Sequence, residues 1–280
     1  MPADPAAPRG VPPLVVSGVS KTYRGQDRKT VVAVDDVSFA IAPGAAVSLV
    51  GASGSGKSTL ARLITGSERP TSGTITFGDL IVSRLRAAGQ RRLYRQVQTV
   101  FQDPYGALNP LHTVEYTLMR PVQNFLGATS AQARGRVHEL LETVGLSPAG
   151  QFAAKLPHQL SGGQRQRVVI ARALACDPGL VVADEPVSML DVSLRAGVLS
   201  LLAELRRERG LSLLYITHDL LSARAITDEV LVLHHGRIVE RGATSQVLRH
   251  PQHDYTIRLI EAVPNPYARP GTTSPGRSTP

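Results

Sequence analysis

The run Gly51-Ala52-Ser53-Gly54-Ser55-Gly56-Lys57-Ser58-Thr59 carries the spacing G-x-x-x-x-G-K-[ST]. Its chemistry is the gripping of a polyphosphate. Glycine backbone tolerates positive φ, so successive N–H groups can turn into one concavity, and a helix start behind them adds its dipole. Lys57 supplies a compact charge for the β- and γ-phosphates, the Ser58 hydroxyl is a ligand for Mg²⁺, and Thr59 closes the helix start. The strand-like AVSLV before the loop and the amphipathic TLARLITG after it stand where such a loop requires a strand and a helix.

A second chemical segment is LVVADEP, an apolar strand ending in two carboxylates, Asp184 and Glu185. Open α/β sheets bind ligands beyond the carboxyl ends of their strands. Asp184 is placed to hold Mg²⁺ through a water, and Glu185, on the other side of the chain, is the candidate general base for an attacking water. A third is LSGGQRQR, which opens a helix continuing VVIARALA. Ser161 caps that helix, and Gly162 and Gly163 let an anion approach its free N–H groups. The chain therefore has two phosphate-binding helix starts.

Several elements must position these segments. LVVSGV, VSFAI, AVSLV, TITF, VQTVF, LVVA, LLYI and VLVLHHGRIVE have strand-like length and many β-branched residues. Four of them, Val47–Val50, Val97–Phe101, Leu180–Ala183 and Leu213–Ile216, are apolar almost throughout, as central strands of a doubly covered parallel sheet must be. Helical faces alternate with them: Leu194, Val198, Leu201 and Leu205 form one, and Val137, Leu140, Leu141 and Val144 another. That alternation predicts an α/β core. From about 103 to 175 there is no strand signal, which predicts an inserted helical subdomain. Residues 1–13 and 264–280 are rich in Pro, Gly, Ser and Thr and read as disordered tails, leaving one domain over 14–263.

These residues resemble the ABC-type ATPases, whose signature is LSGGQ, from about Val15 to Pro264. Gln102 in VFQDP resembles the Q-loop glutamine, Ser188–Asp191 the D-loop, His218 in ITHD the switch histidine, and Tyr23 in SKTYRG the aromatic that stacks on adenine. Met189 stands where the D-loop usually has alanine, while Asp191 is retained. The resemblance implies a P-loop NTPase core with an N-terminal antiparallel β subdomain and an inserted helical subdomain. It implies ATP and Mg²⁺ as cofactors, with Ser58, Gln102 and Asp184 around the metal. It also implies a head-to-tail dimer with a second ATPase subunit, identical or paralogous, in which Ser161, Gly162, Gly163 and Gln164 of one chain contact ATP held by the other. His218 would contact the γ-phosphate and orient the attacking water.

VFQDPYGALNPLHTV and HPQHDYTIRLIEAVPNP narrow the resemblance to importers of oligopeptides, dipeptides and, in a smaller group, nickel, with a typical C-terminal segment at about 241–263. The implied partners are two membrane permease subunits and an extracytoplasmic substrate-binding protein, and the implied place is the cytoplasmic face of the membrane. A nickel or other small-solute importer stays open as an alternative. The net charge of +9, from 31 Lys+Arg against 22 Asp+Glu, raises a soluble ABC ATPase acting on nucleic acid or the ribosome. Such proteins usually carry two ATPase units or a long coiled-coil insertion, and no nucleic-acid partner is expected here. The basic stretch Ser83–Gln96 reads as a solvated helix face, as His234, His235, His250 and His253 read as solvated surface. A lone cysteine, Cys176, excludes an internal disulfide and reads as core filler. The early residues lack the apolar run of a secretory signal, and no run of about 18 apolar residues predicts a membrane span.

Overall fold

The computed structural model describes residues 11–24 and 30–262. Antiparallel strands β1 (Leu14–Arg24) and β2 (Thr30–Ile41) open the fold, with Leu14 opposite Ile41. β3 (Ala46–Val50) runs through the glycine-rich loop into α1 (Lys57–Ile64), after which β4 (Ser72–Phe77) and β5 (Leu80–Ile81) complete a sheet ordered β2-β1-β4-β5. α2 (Ala87–Gln96) leads to β6 (Val97–Val100). The chain is then helical: α3 (Pro104–Ala107), α4 (Val114–Leu126), α5 (Ser130–Thr143), α6 (Ala149–Ala153) and α7 (Gly162–Leu174). β7 (Leu180–Asp184), α8 (Val192–Arg209), β8 (Ser212–Thr217), α9 (Leu220–Ile226), β9 (Glu229–His234) and β10 (Arg237–Ala243) return to the second sheet, followed by α10 (Thr244–Arg249) and α11 (Asp254–Glu261).

The second sheet runs β10-β9-β3-β8-β7-β6, parallel except for the β9–β10 hairpin. Its central strands are buried on both faces, and successive residues feed two separate cores. Val47 and Leu49, Leu180 and Val182, and Leu214 and Ile216 pack with α1 and the first sheet. Ala46 and Val50, Val181 and Ala183, and Leu213 and Tyr215 pack with the helices on the other side. This is why those runs are apolar at nearly every position. Burying a Leu or Ile side chain contributes about 1.5–3 kcal/mol, so the alternation fixes strand register firmly.

The structure refines several expectations. VLVLHHGRIVE is two strands joined by a tight turn, because His235 and Gly236 take φ of 45° and 78°. β2 begins at Thr30, well before VSFAI. The apolar run over Val97–Phe101 ends its strand at Val100, and Phe101 is 53% exposed. Residues 11–13 are packed rather than part of a tail: the Gly78 N–H donates to the Pro13 carbonyl at 3.0 Å. Residues 1–10 and 263–280 lie outside the described residues. Among the described residues, no helix is long and apolar enough to cross a membrane.

Candidate active site

Parallel strands aligned side by side deliver their C-terminal ends to one edge of the sheet. β3 ends at the glycine loop, β6 just before Gln102, β7 at Asp184 and Glu185, and β8 just before His218. Strand order β3-β8-β7-β6 therefore gathers four distant segments around one cleft. Its volume is about 440 Å³, and Ser53, Gly54, Gly56, Lys57, Ser58, Thr59, Gln102, Glu185 and His218 line it.

The loop's glycines are sterically required at two positions. Gly56 has φ of 110°, and a Cβ there would strike the Ala33 carbonyl oxygen; a Cβ on Gly51 would meet the Leu233 carbonyl oxygen and lie 2.7 Å from Ser55 Oγ. Gly56 also caps α1 with no side-chain hydrogen bond, so the first N–H groups of that helix face the loop without a side-chain partner. Lys57 is 6% exposed, and its ammonium donates to the carbonyls of Gly51 at 2.8 Å and Ala52 at 3.0 Å. Burial lowers its pKa, opposed by the negative charges of Glu185 and Asp184. The buried Ser55 hydroxyl has no partner. A glycine cradle, a buried cation and unsatisfied donors fit a polyphosphate.

Two side chains converge on one carboxylate oxygen of a third. Gln102 Nε2 donates to Glu185 Oε2 at 3.2 Å, and His218 Nδ1 lies 3.3 Å from the same atom. Glu185 holds a left-handed backbone at φ of 46°, unusual for a residue with a Cβ. Its N–H donates to the Ile216 carbonyl at 2.9 Å, and its carbonyl accepts the Ser188 N–H at 3.2 Å and hydroxyl at 3.0 Å. Those bonds sustain the strained turn. Beside it, burial and then the Glu185 charge raise the pKa of Asp184, against the Ser58 hydroxyl and Lys57. The hydroxyl of Ser58, the carboxylate of Asp184 and the amide oxygen of Gln102 would supply hard oxygen donors of the kind Mg²⁺ takes.

Ser161, Gly162, Gly163 and Gln164 line no part of this cleft. They start α7 as a capping box: Ser161 Oγ accepts the Gln164 N–H at 3.3 Å, and Gln164 Oε1 accepts the Ser161 N–H at 3.0 Å. Built Cβ atoms on Gly162 and Gly163 would come 3.7 Å from Leu190 and 3.3 Å from Leu194. The segment Ser188–Asp191 thus touches Glu185 at one end and the α7 start at the other. Met189 and Val192 are 56% and 79% exposed, and Asp191 is exposed at the N-cap of α8.

A family model described as ABC transporter matches residues 34–188. The chain belongs to the ABC transporter family. It is 43% identical over 235 residues to the oligopeptide transport ATP-binding protein OppF of Lactococcus lactis subsp. lactis (strain IL1403), covering 84% of this chain and 73% of that one. It is 45% identical over 237 residues to the glutathione import ATP-binding protein GsiA of Salmonella choleraesuis (strain SC-B67), covering 84% of this chain but 38% of GsiA. A dimeric post-hydrolysis structure of the ATP-binding cassette MJ0796 with ADP and Pi superposes with a TM-score of 0.74 at 32% identity, covering 82% of this chain and 98% of that one. The ABC cassette is an ATPase fold, and this chain has its phosphate loop, acidic strand end and signature helix.

The Tyr23 hydroxyl donates to Glu68 at 2.5 Å, and Val31, Val32 and Ala33 also line the cleft. A pair of exposed valines on a strand carries no spacing signal, so the sequence does not single them out. His234 and His253 are half-buried joints rather than solvated surface. His234 stacks on Tyr255 with ring centroids 3.8 Å apart, and His253 Nδ1 accepts the Tyr255 N–H at 3.1 Å. The basic stretch forms α2, whose Leu93 is buried and whose Arg92 forks onto Asp79 at 2.7 and 2.9 Å.

Proposed function

We propose that this chain is the ATP-hydrolysing, energy-coupling subunit of an ABC importer for di- or oligopeptides. The observation carrying it is the likeness over 84% of the chain to OppF, joined to the nucleotide cleft. ATP lies with its phosphates on the loop Gly51–Thr59, and Tyr23, whose hydroxyl is engaged by Glu68, offers a ring face to adenine. When bound through Ser58, Asp184 and Gln102, Mg²⁺ neutralises phosphate charge. Glu185 accepts a proton from the attacking water, and His218 orients that water and the γ-phosphate.

The site is completed in trans. Ser161–Gln164 of a second ATPase subunit close on the same triphosphate, which accounts for two phosphate-binding helix starts in one chain. Asp191 and Met189 face that partner. The permease pair docks on a groove of about 700 Å³ between β6 and α4, whose lining includes Phe101, Tyr116, Arg120 and Phe125. Phe101 borders this groove and Gln102 the nucleotide cleft, so adjacent residues connect membrane contact to ATP state. The subunit accordingly sits on the cytoplasmic face of the membrane and works with an extracytoplasmic substrate-binding protein.

The test is uptake by vesicles carrying the reconstituted transporter, with labelled di- and oligopeptides and labelled nickel in parallel. ATP-dependent peptide uptake supports the proposal. Uptake of nickel alone would assign the smaller-solute class, and a free protein that binds nucleic acid with a steep salt slope would overturn transport altogether.

A further inference from the structure

We infer that Tyr255 is a positioning residue for the phosphate loop, so that helix α11 sets how tightly ATP is gripped. The inference rests on the ATPase reading of the cleft. The Ala52 N–H donates to the Tyr255 hydroxyl oxygen at 2.8 Å, across 203 positions of chain. That N–H belongs to the same peptide unit as the Gly51 carbonyl, which accepts the Lys57 ammonium at 2.8 Å. A peptide unit is rigid and planar. Fixing its N–H therefore fixes the direction of its carbonyl, and with it the seat from which Lys57 reaches a phosphate.

Tyr255 is itself firmly placed. It is 9% exposed, its ring lies at 23° to His234 on β9, and its N–H is held by His253. The turn into α11 is fixed in turn by Glu240 of β10, whose carboxylate accepts the N–H groups of Gln252 at 2.8 Å and His253 at 3.1 Å. A continuous line of contacts thus runs from β10 through α11 to the second residue of the loop. The opposite wall of that residue's neighbour is closed as well, since Gly51 has no room for a Cβ against Leu233 and Ser55.

The experiment compares the full-length chain with Tyr255→Phe and with Leu259→Ala, a change in how α11 packs on the core. Tyr255→Phe keeps the ring and removes the acceptor. It is expected to raise the Kd for a fluorescent ATP analogue with Mg²⁺ by about three- to tenfold, the scale of one lost hydrogen bond. Turnover at saturating ATP should stay within about twofold, since chemistry at Glu185 is untouched. Hydrogen exchange over Gly51–Ser58 should speed up in Tyr255→Phe and not in Leu259→Ala. An unchanged Kd in Tyr255→Phe overturns the inference, as does an equal loss in both variants, which would make α11 merely structural. If the unaltered chain fails to bind the analogue, the ATPase reading falls first and the positioning role with it.

Discussion

His218 Nδ1 lies 3.3 Å from Glu185 Oε2, the oxygen that also accepts the Gln102 amide at 3.2 Å. The carboxylate is thereby aimed by two side chains that follow the ends of separate strands, while its backbone is held in a left-handed turn. A group so constrained can take a proton from a water without first being reoriented.

Glu185→Gln keeps the shape and the strained turn but loses the base. ATP affinity should be retained, and turnover should fall by about 10²- to 10⁴-fold, the usual contribution of a positioned general base. A phosphate-release assay beside an ATP titration checks it, and near wild-type cycling would refute the assignment.

His218 acts through the same oxygen, so its effect should not add to that of Glu185. His218→Ala alone should slow hydrolysis about ten- to a hundredfold while binding ATP. The double variant should be no slower than Glu185→Gln by itself, because groups acting as a unit are non-additive. Additive losses would show that the two residues work independently.

How much of this was visible in sequence depends on the range of the interaction. The central sheet was legible because Val47–Val50 and Leu213–Ile216 must satisfy two cores at once, which forces continuous apolar runs. The glycine loop was legible because its steric demands fall on adjacent positions. The first half of β2 was not, since Thr30, Val31 and Val32 are exposed and only pairing with β1 makes them a strand. Nor was the Tyr255–Ala52 bond: local spacing says nothing about residues brought together by the whole fold.

Asp184 offers a trade between stability and function. Its folded pKa is raised, chiefly by burial, so the folded chain holds this proton at pH values where the unfolded chain has released it. Stability attached to the group is thus full below the ordinary aspartate range and lost as pH rises through the raised folded value. Asp184→Asn removes the charge. Its melting temperature should exceed that of the unaltered, nucleotide-free chain at neutral pH, with the gap closing on acidification, while Mg²⁺-dependent turnover is lost. A melting temperature that drops at neutral pH would contradict this.

Cys176 is fully buried, and burial, aided by Asp177 and opposed by Arg95, pushes its thiol up to about 11. At neutral pH the reactive thiolate fraction is below about one part in a thousand. Thiol labelling should be slow in the native protein and complete within minutes on unfolding. Rapid native labelling would mean that the α7–β7 junction opens readily.

The dimeric site makes the most exposed claim. Ser161 starts α7 away from its own chain's cleft, so it should matter for pairing rather than for primary ATP binding. In the Glu185→Gln background, ATP should drive dimer formation, read by light scattering. Adding Ser161→Arg places a bulky cation on the exposed helix start and removes a cap worth about 1 kcal/mol, too little to unfold a domain of this size. The dimer should then disappear, while the single-chain Kd for ATP changes by less than about threefold, because the phosphate loop is intact. If the double variant dimerises as before, the α7 start does not close on a neighbour's nucleotide; if instead it loses ATP binding as a monomer, both helix starts serve one site within a single chain.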